Sequence, residues 1–147
     1  LADGNYQPLP STPTISNAMD VGAPSNFARM KDLFGDSWES MRENVSGLAF
    51  DDDETREAIR TVKAETGYTI DPHGAVGFLA AKIWHQASPE DETIILETAH
   101  PSKFLPTMEE ELGKGSVEIP QRLACLSDLP KVAHQVSNDP KVIQKFL

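Results

Sequence analysis

The chain has 147 residues, 39% hydrophobic and 24% charged, with a formal net charge of −10. That mixture fits one soluble globular domain rather than a disordered chain, and the acidic balance argues against binding a phosphate backbone. No apolar run approaches the roughly 18–20 residues a membrane helix needs, and a lone Cys125 excludes an internal disulfide. A reducing, cytoplasmic setting is the default. The start, Leu1-Ala2-Asp3-Gly4, has no initiator Met and no signal pattern, and reads as the middle of a longer protein.

Residues 1–13 carry Pro8, Pro10 and Pro13 and are expected to be an extended connector. Thr14 and Ile15 suit a strand end. Ser25 is a candidate N-cap for a helix with Phe27, Met30, Leu33 and Phe34 at helical spacing and Gly35 as its stop. Asp36 and Glu39 resemble a capping box for a second helix that carries Trp38, Met41, Val45 and Leu48. Asp51 to Glu54 place negative charge at the start of a third helix, each carboxylate worth about 0.3–1 kcal/mol there. Ile59 and Val62 give that helix a buried face and Gly67 ends it.

Tyr68-Thr69-Ile70 is short and β-prone. Asp71-Pro72 then supplies an N-cap with proline at the first helical position. The helix it opens holds Ala75, Val76, Phe78, Leu79, Ile83 and Trp84, apolar on nearly all sides, which predicts burial between layers. Ser88-Pro89 turns the chain into a strand over 93–97. Strand, helix, strand is the βαβ order of a parallel sheet, so the expected fold class is α/β. The strand ends in Thr98-Ala99-His100-Pro101-Ser102-Lys103-Phe104. A hydroxyl, an imidazole and an amine thus gather at a strand's carboxyl end, where α/β enzymes bind ligands. Beyond it, Thr107 is a candidate cap for a helix over Met108 and Leu112, broken by Gly113 and Gly115. Val117, Ile119 and Pro120 suit an edge segment. Asp128-Leu129-Pro130 and Asp139-Pro140 are expected to open two short terminal helices.

Each candidate has a plain structural alternative. Thr98 either ends a strand or meets a ligand. His73, just inside a helix start, either bonds local backbone or meets an anion. His100 and Lys103 face the same choice. His85 and His134 suit surface positions, and the four His show no i,i+4 pairing, so no metal site is expected. Cys125, Trp38 and Trp84 suit the core.

Three words taken together carry a resemblance: Ser16 to Phe27 around Met19-Asp20-Val21-Gly22, Thr69 to Gly77 around Asp71-Pro72-His73, and Glu97 to Phe104 around Thr98-Ala99-His100. In this order and spacing they resemble the C-terminal portion of threonine synthases of the bacterial and yeast type. His134 to Asp139 also resembles that family's C-terminal segment. Three positions depart from the family's usual pattern: Ala23 stands for Asn, Gly74 for Thr and Ser102 for Ala.

The resemblance implies a fold-type-II pyridoxal-phosphate enzyme. The expected chain is a partial parallel sheet with packed helices and a helical tail. It implies a connector over 1–13, part of the cofactor-binding α/β domain over 14–106 with a helical insertion near 36–67, and a tail over 107–147. The implied reaction turns O-phospho-L-homoserine and water into L-threonine and phosphate, with pyridoxal 5'-phosphate as electron sink. Thr98 is implied at the ring nitrogen, and Gly22 against the ring's face. His73, His100 and Lys103 are implied candidates for substrate contact. The family's Schiff-base lysine lies upstream of these words, so no catalytic residue is expected here and the isolated chain is expected to be inactive. Cut from its sheet neighbours, it is also expected to self-associate through open edges. A serine or threonine dehydratase of the same fold and a non-catalytic remnant of it are the alternatives.

Overall fold

A computed structural model of the chain describes residues 4–137 and 139–146. Among the described residues all regular structure is helical, so the expected α/β class with a partial parallel sheet is corrected. The helices are α1 (Phe27–Leu33), α2 (Trp38–Asn44), α3 (Asp52–Thr66), α4 (Pro72–Ala87), α5 (Leu105–Leu112), α6 (Gln121–Ser127) and α7 (Pro140–Phe146). Short 3₁₀ turns cover Asn17–Met19 and Pro101–Phe104.

The missing sheet has a physical cause. A strand exists through ladder bonds to a neighbour, and an apolar run alone does not supply one. The run 93–97 stays without regular structure, with Ile94 86% and Leu96 79% exposed. Tyr68-Thr69-Ile70 is the link between α3 and α4, and its Ile70 plugs the core instead of pairing.

Two compact units divide the chain after Val117. In the first, α3, α4 and α5 enclose the core. Ala58, Ile59 and Val62 from α3 meet Ile70, Ala75, Phe104, Met108 and Val117, with Phe78, Leu79 and Ala99 packed around them. Local sequence explains these helices. Asp51 and Glu54 form a complete capping box on α3, and Gly67 closes it at φ +76°. Asp71 caps α4, with Pro72 at the first position. Arg56 and Arg60 of α3 clasp Glu111 of α5, and Arg56 also reaches Glu110 at 3.0 Å. The α4 helix is covered on one side only, since Ile83 and Trp84 are exposed.

Other boundaries moved. Ser37, not Asp36, caps α2, its hydroxyl accepting from the Ser40 amide; Asp36 has φ +56° and serves the turn that precedes it. Phe104, not Thr107, precedes α5. In the second unit, Pro120 opens α6, whereas Asp128 follows its end and Pro140 starts α7. Cys125 is exposed rather than buried. Among the described residues no helix is long and apolar enough to cross a membrane.

Candidate functional site

The segment running into Thr98 lies across the start of α4. Two glycines one turn apart leave room for it. A β-carbon on Gly77 would sit 3.0 Å from Ile95, and one on Gly74 would sit 2.5 Å from both carboxyl oxygens of Glu97. Ile95, Glu97 and Ala99 therefore face inward, while Ile94, Leu96, Thr98 and His100 are exposed. This period of two is the pattern of an extended chain with one covered face.

At the start of α4 an acid is deeply enclosed. Asp71 is 0% exposed. Its Oδ1 accepts from the His73 backbone N–H and lies 2.7 Å from His73 Nδ1. An ionised carboxylate only accepts, so the proton of that second bond sits on Nδ1. Asp71 Oδ2 and His73 Nε2 are buried and take no partner from an amide, hydroxyl or ring nitrogen. The His73 ring packs on Phe104, centroids 4.7 Å apart.

Glu97 completes the cluster. Although the residue as a whole is exposed, its carboxyl turns in over Gly74 toward Asp71. Burial there, reinforced by a hydrogen bond to the Asp71 carboxyl, pushes Glu97 up to about 8. Burial also pushes Asp71 upward, but the bonds from Glu97 and His73 outweigh it, and Asp71 lies below its ordinary value. The two acids thus hold one proton at neutral pH, and it rests on Glu97.

The implied site residues sit as follows. Thr98 is exposed, and its hydroxyl has no hydrogen bond among the described residues. His100 accepts from the Ser102 N–H at Nδ1 and lies 2.8 Å from the Ser102 hydroxyl, so its side chain caps the 3₁₀ turn. Lys103 is exposed on that turn, without an ion pair among the described residues. His73 joins this group through Asp71, Glu97 and Phe104. Gly22 belongs to another loop. Its carbonyl accepts from the Leu9 amide, its N–H donates to Ser11 Oγ, and a β-carbon would lie 1.7 Å from the Leu9 carbonyl oxygen. That loop is braced by Asp20, which accepts from the Thr14 N–H and hydroxyl, and by Asp52, which accepts from the Ile15 N–H.

Sequence reasoning missed Asp71 and Glu97 as partners and Gly74 as the opening between them. Two-residue alternation from Ile95 would have turned Glu97 inward. Among the described residues no set of three or more His, Cys, Asp or Glu is arranged to hold a metal ion.

Comparison with known proteins is consistent throughout. The family model described as threonine synthase, C-terminal, matches residues 74–147. The chain is 36% identical to the threonine synthase of Escherichia coli K12 and 33% identical to that of Serratia marcescens. Each match covers all of this chain and 33% of the relative. The chain therefore spans about a third of the length of the curated relatives it matches. Its fold matches part of a crystal structure of PLP-bound threonine synthase from Brucella melitensis, with a TM-score of 0.65 at 21% identity. That match covers 99% of this chain and 36% of the other.

Proposed function

The chain belongs to the threonine synthase family, as its C-terminal portion, and from that premise we propose that it forms one wall of that enzyme's cofactor and substrate site. The reaction is the conversion of O-phospho-L-homoserine and water to L-threonine and phosphate. When bound, pyridoxal 5'-phosphate supplies the electron sink. The observation that carries this reading is the Thr98 hydroxyl, exposed and unbonded at the end of a segment seated on α4. That hydroxyl fits a ring nitrogen, because it is neutral, stiff at χ1 and able to donate or accept one bond.

The neighbouring residues take supporting roles. The Gly22 backbone, fixed by Leu9 and Ser11, would help to hold the cofactor. His73, with its proton on Nδ1, keeps Nε2 buried and without a partner, the acceptor it has left for a substrate hydroxyl or amine. His100 turns Nε2 outward because Nδ1 caps its own turn, and with Lys103 it meets the substrate's phosphate or carboxylate. The lysine that carries the cofactor belongs to sequence outside this chain, so the chain alone is inactive. Its uncovered row of Ile94 and Leu96 is an exposed apolar edge, and isolated copies associate through it. The parent works in the cytoplasm.

The full-length Thr98→Val variant tests the central role. Cofactor absorbance and phosphate release should both change; a wild-type spectrum with wild-type turnover refutes it. A parent enzyme that releases no phosphate from O-phospho-L-homoserine refutes the reaction itself. For the isolated chain, a stoichiometric cofactor band that borohydride fixes to a mapped lysine overturns inactivity.

A further inference from the structure

We propose that Glu97 is a positioning residue: as a neutral acid it donates to the buried Asp71, and so holds the segment bearing Thr98 on the helix start bearing His73. This rests on the site reading above. Three observations converge on it. Asp71 Oδ1 is already committed to both His73 bonds, while Oδ2 is buried with no nitrogen or hydroxyl donor. The Glu97 carboxyl stands over Gly74, where a β-carbon would lie 2.5 Å from both of its oxygens, and bonds to the Asp71 carboxyl. Ile95 over Gly77 gives the segment a second footing one helical turn along, so the register is set.

The chemistry needs a proton between the two acids. With Glu97 protonated, its O–H fills the vacancy at Oδ2, and Asp71 keeps full charge for His73 Nδ1–H. With Glu97 ionised, two carboxylates meet in a poorly solvated place and repel. The segment then lifts, and the Thr98 hydroxyl loses its placement. From α4 the titratable group facing Glu97 is Asp71, which is itself bonded to His73. The 3₁₀ turn brings the uncharged Phe104 ring to His73, and its Lys103 is exposed. Gly74 is thereby required: a methyl there would push the carboxyl off Asp71 without altering either acid.

The test uses the full-length enzyme and its phosphate release across pH. Wild-type kcat should fall as pH rises through about 8, where Glu97 ionises. Glu97→Gln keeps a donor that does not titrate, so its rate should not show that fall. Glu97→Ala and Gly74→Ala should lose roughly ten- to hundredfold in kcat at neutral pH, with a smaller change in KM. Glu97→Gln should recover most of that loss. A Glu97→Gln profile that declines with the wild type, or a Glu97→Ala variant with wild-type kcat, overturns the proposal. If the wild type does not act on this substrate, the infrared carbonyl band of a protonated acid still decides. It should be present at neutral pH in the wild type and absent in Glu97→Gln; no such difference overturns the role of Glu97.

Discussion

Glu111 is the carboxylate that ties α3 to α5, and replacing it with Ala measures how firmly the turn carrying His100 and Lys103 is held. Its side chain is 8% exposed and lies between Arg56, 24% exposed, and Arg60, 51% exposed. The hydrogen bond that Arg56 donates to Glu111, then the one it donates to Glu110, holds its guanidinium more firmly protonated. A hydrogen bond between charged partners contributes about 1.5–3 kcal/mol when sheltered. The half-exposed Arg60 pair contributes about 0–1 kcal/mol after screening. Glu110 remains at 3.0 Å from Arg56 in the variant and recovers a fraction. The expected cost is therefore about 2–3 kcal/mol, almost all of it from Arg56. Urea unfolding followed by far-UV circular dichroism, at constant slope, reads this directly. Double-mutant cycles separate the pairs: coupling of Glu111 to Arg56 should exceed its coupling to Arg60. Strong salt should erase the Arg60 coupling first. A Glu111→Ala variant within about 0.5 kcal/mol of wild type refutes this role for Glu111. A stronger coupling to Arg60 than to Arg56 refutes it equally.

Other expectations follow from the same geometry. Asp71→Ala removes a helix cap, about 1 kcal/mol, and a charge-assisted bond to His73, about 1.5–3 kcal/mol. Asp71→Asn keeps a capping oxygen and should cost clearly less; equal losses in urea unfolding would show that the cap is not the issue. Asp51→Ala breaks the capping box of α3 and should lower stability by about 1 kcal/mol, with helix content near α3 falling in hydrogen exchange. The pH dependence has a definite sign. Glu97 is raised from 4.5 to about 8, so its contribution is full below about 4.5 and is lost as pH rises to about 8. Asp71 is lowered from 3.8, so its contribution holds above that value and is lost as pH falls through its folded value. Unfolding midpoints of the wild type, relative to Glu97→Gln, should fall across the Glu97 window; a rising difference contradicts the assignment.

The helices were legible because their signals are local. Asp51 with Glu54, Gly67, and Asp71-Pro72 act on backbone groups within a few residues, and each performs as its chemistry predicts. The sheet was misjudged because pairing is non-local. The run of Thr93 to Leu96 has the composition of a strand, yet nothing within the described residues forms a ladder with it. The candidate site was half legible as a cluster. Thr98 and His73 stood out by residue type at element ends, whereas Glu97 read as the polar end of an apolar run. Only the spacing from Ile95 through Glu97 to Ala99 reveals that the acid faces inward. Gly74 was noticed as a departure from the family's pattern, but its meaning depends on Glu97, 23 residues away in the chain.

The glycine pair under that segment has a cost inside α4. Glycine in a helix interior is about 0.8–1 kcal/mol less favourable than alanine. Gly74 and Gly77 therefore leave the first two turns of α4 weak by themselves. Their order depends on Glu97 and Ile95 lying over them. The helix start and the covering segment then form one opening unit, and amides from Ala75 to Phe78 should exchange together with those of residues 95–99. Breathing of that unit, rather than motion of any single side chain, sets how long His73 and Thr98 stay aligned.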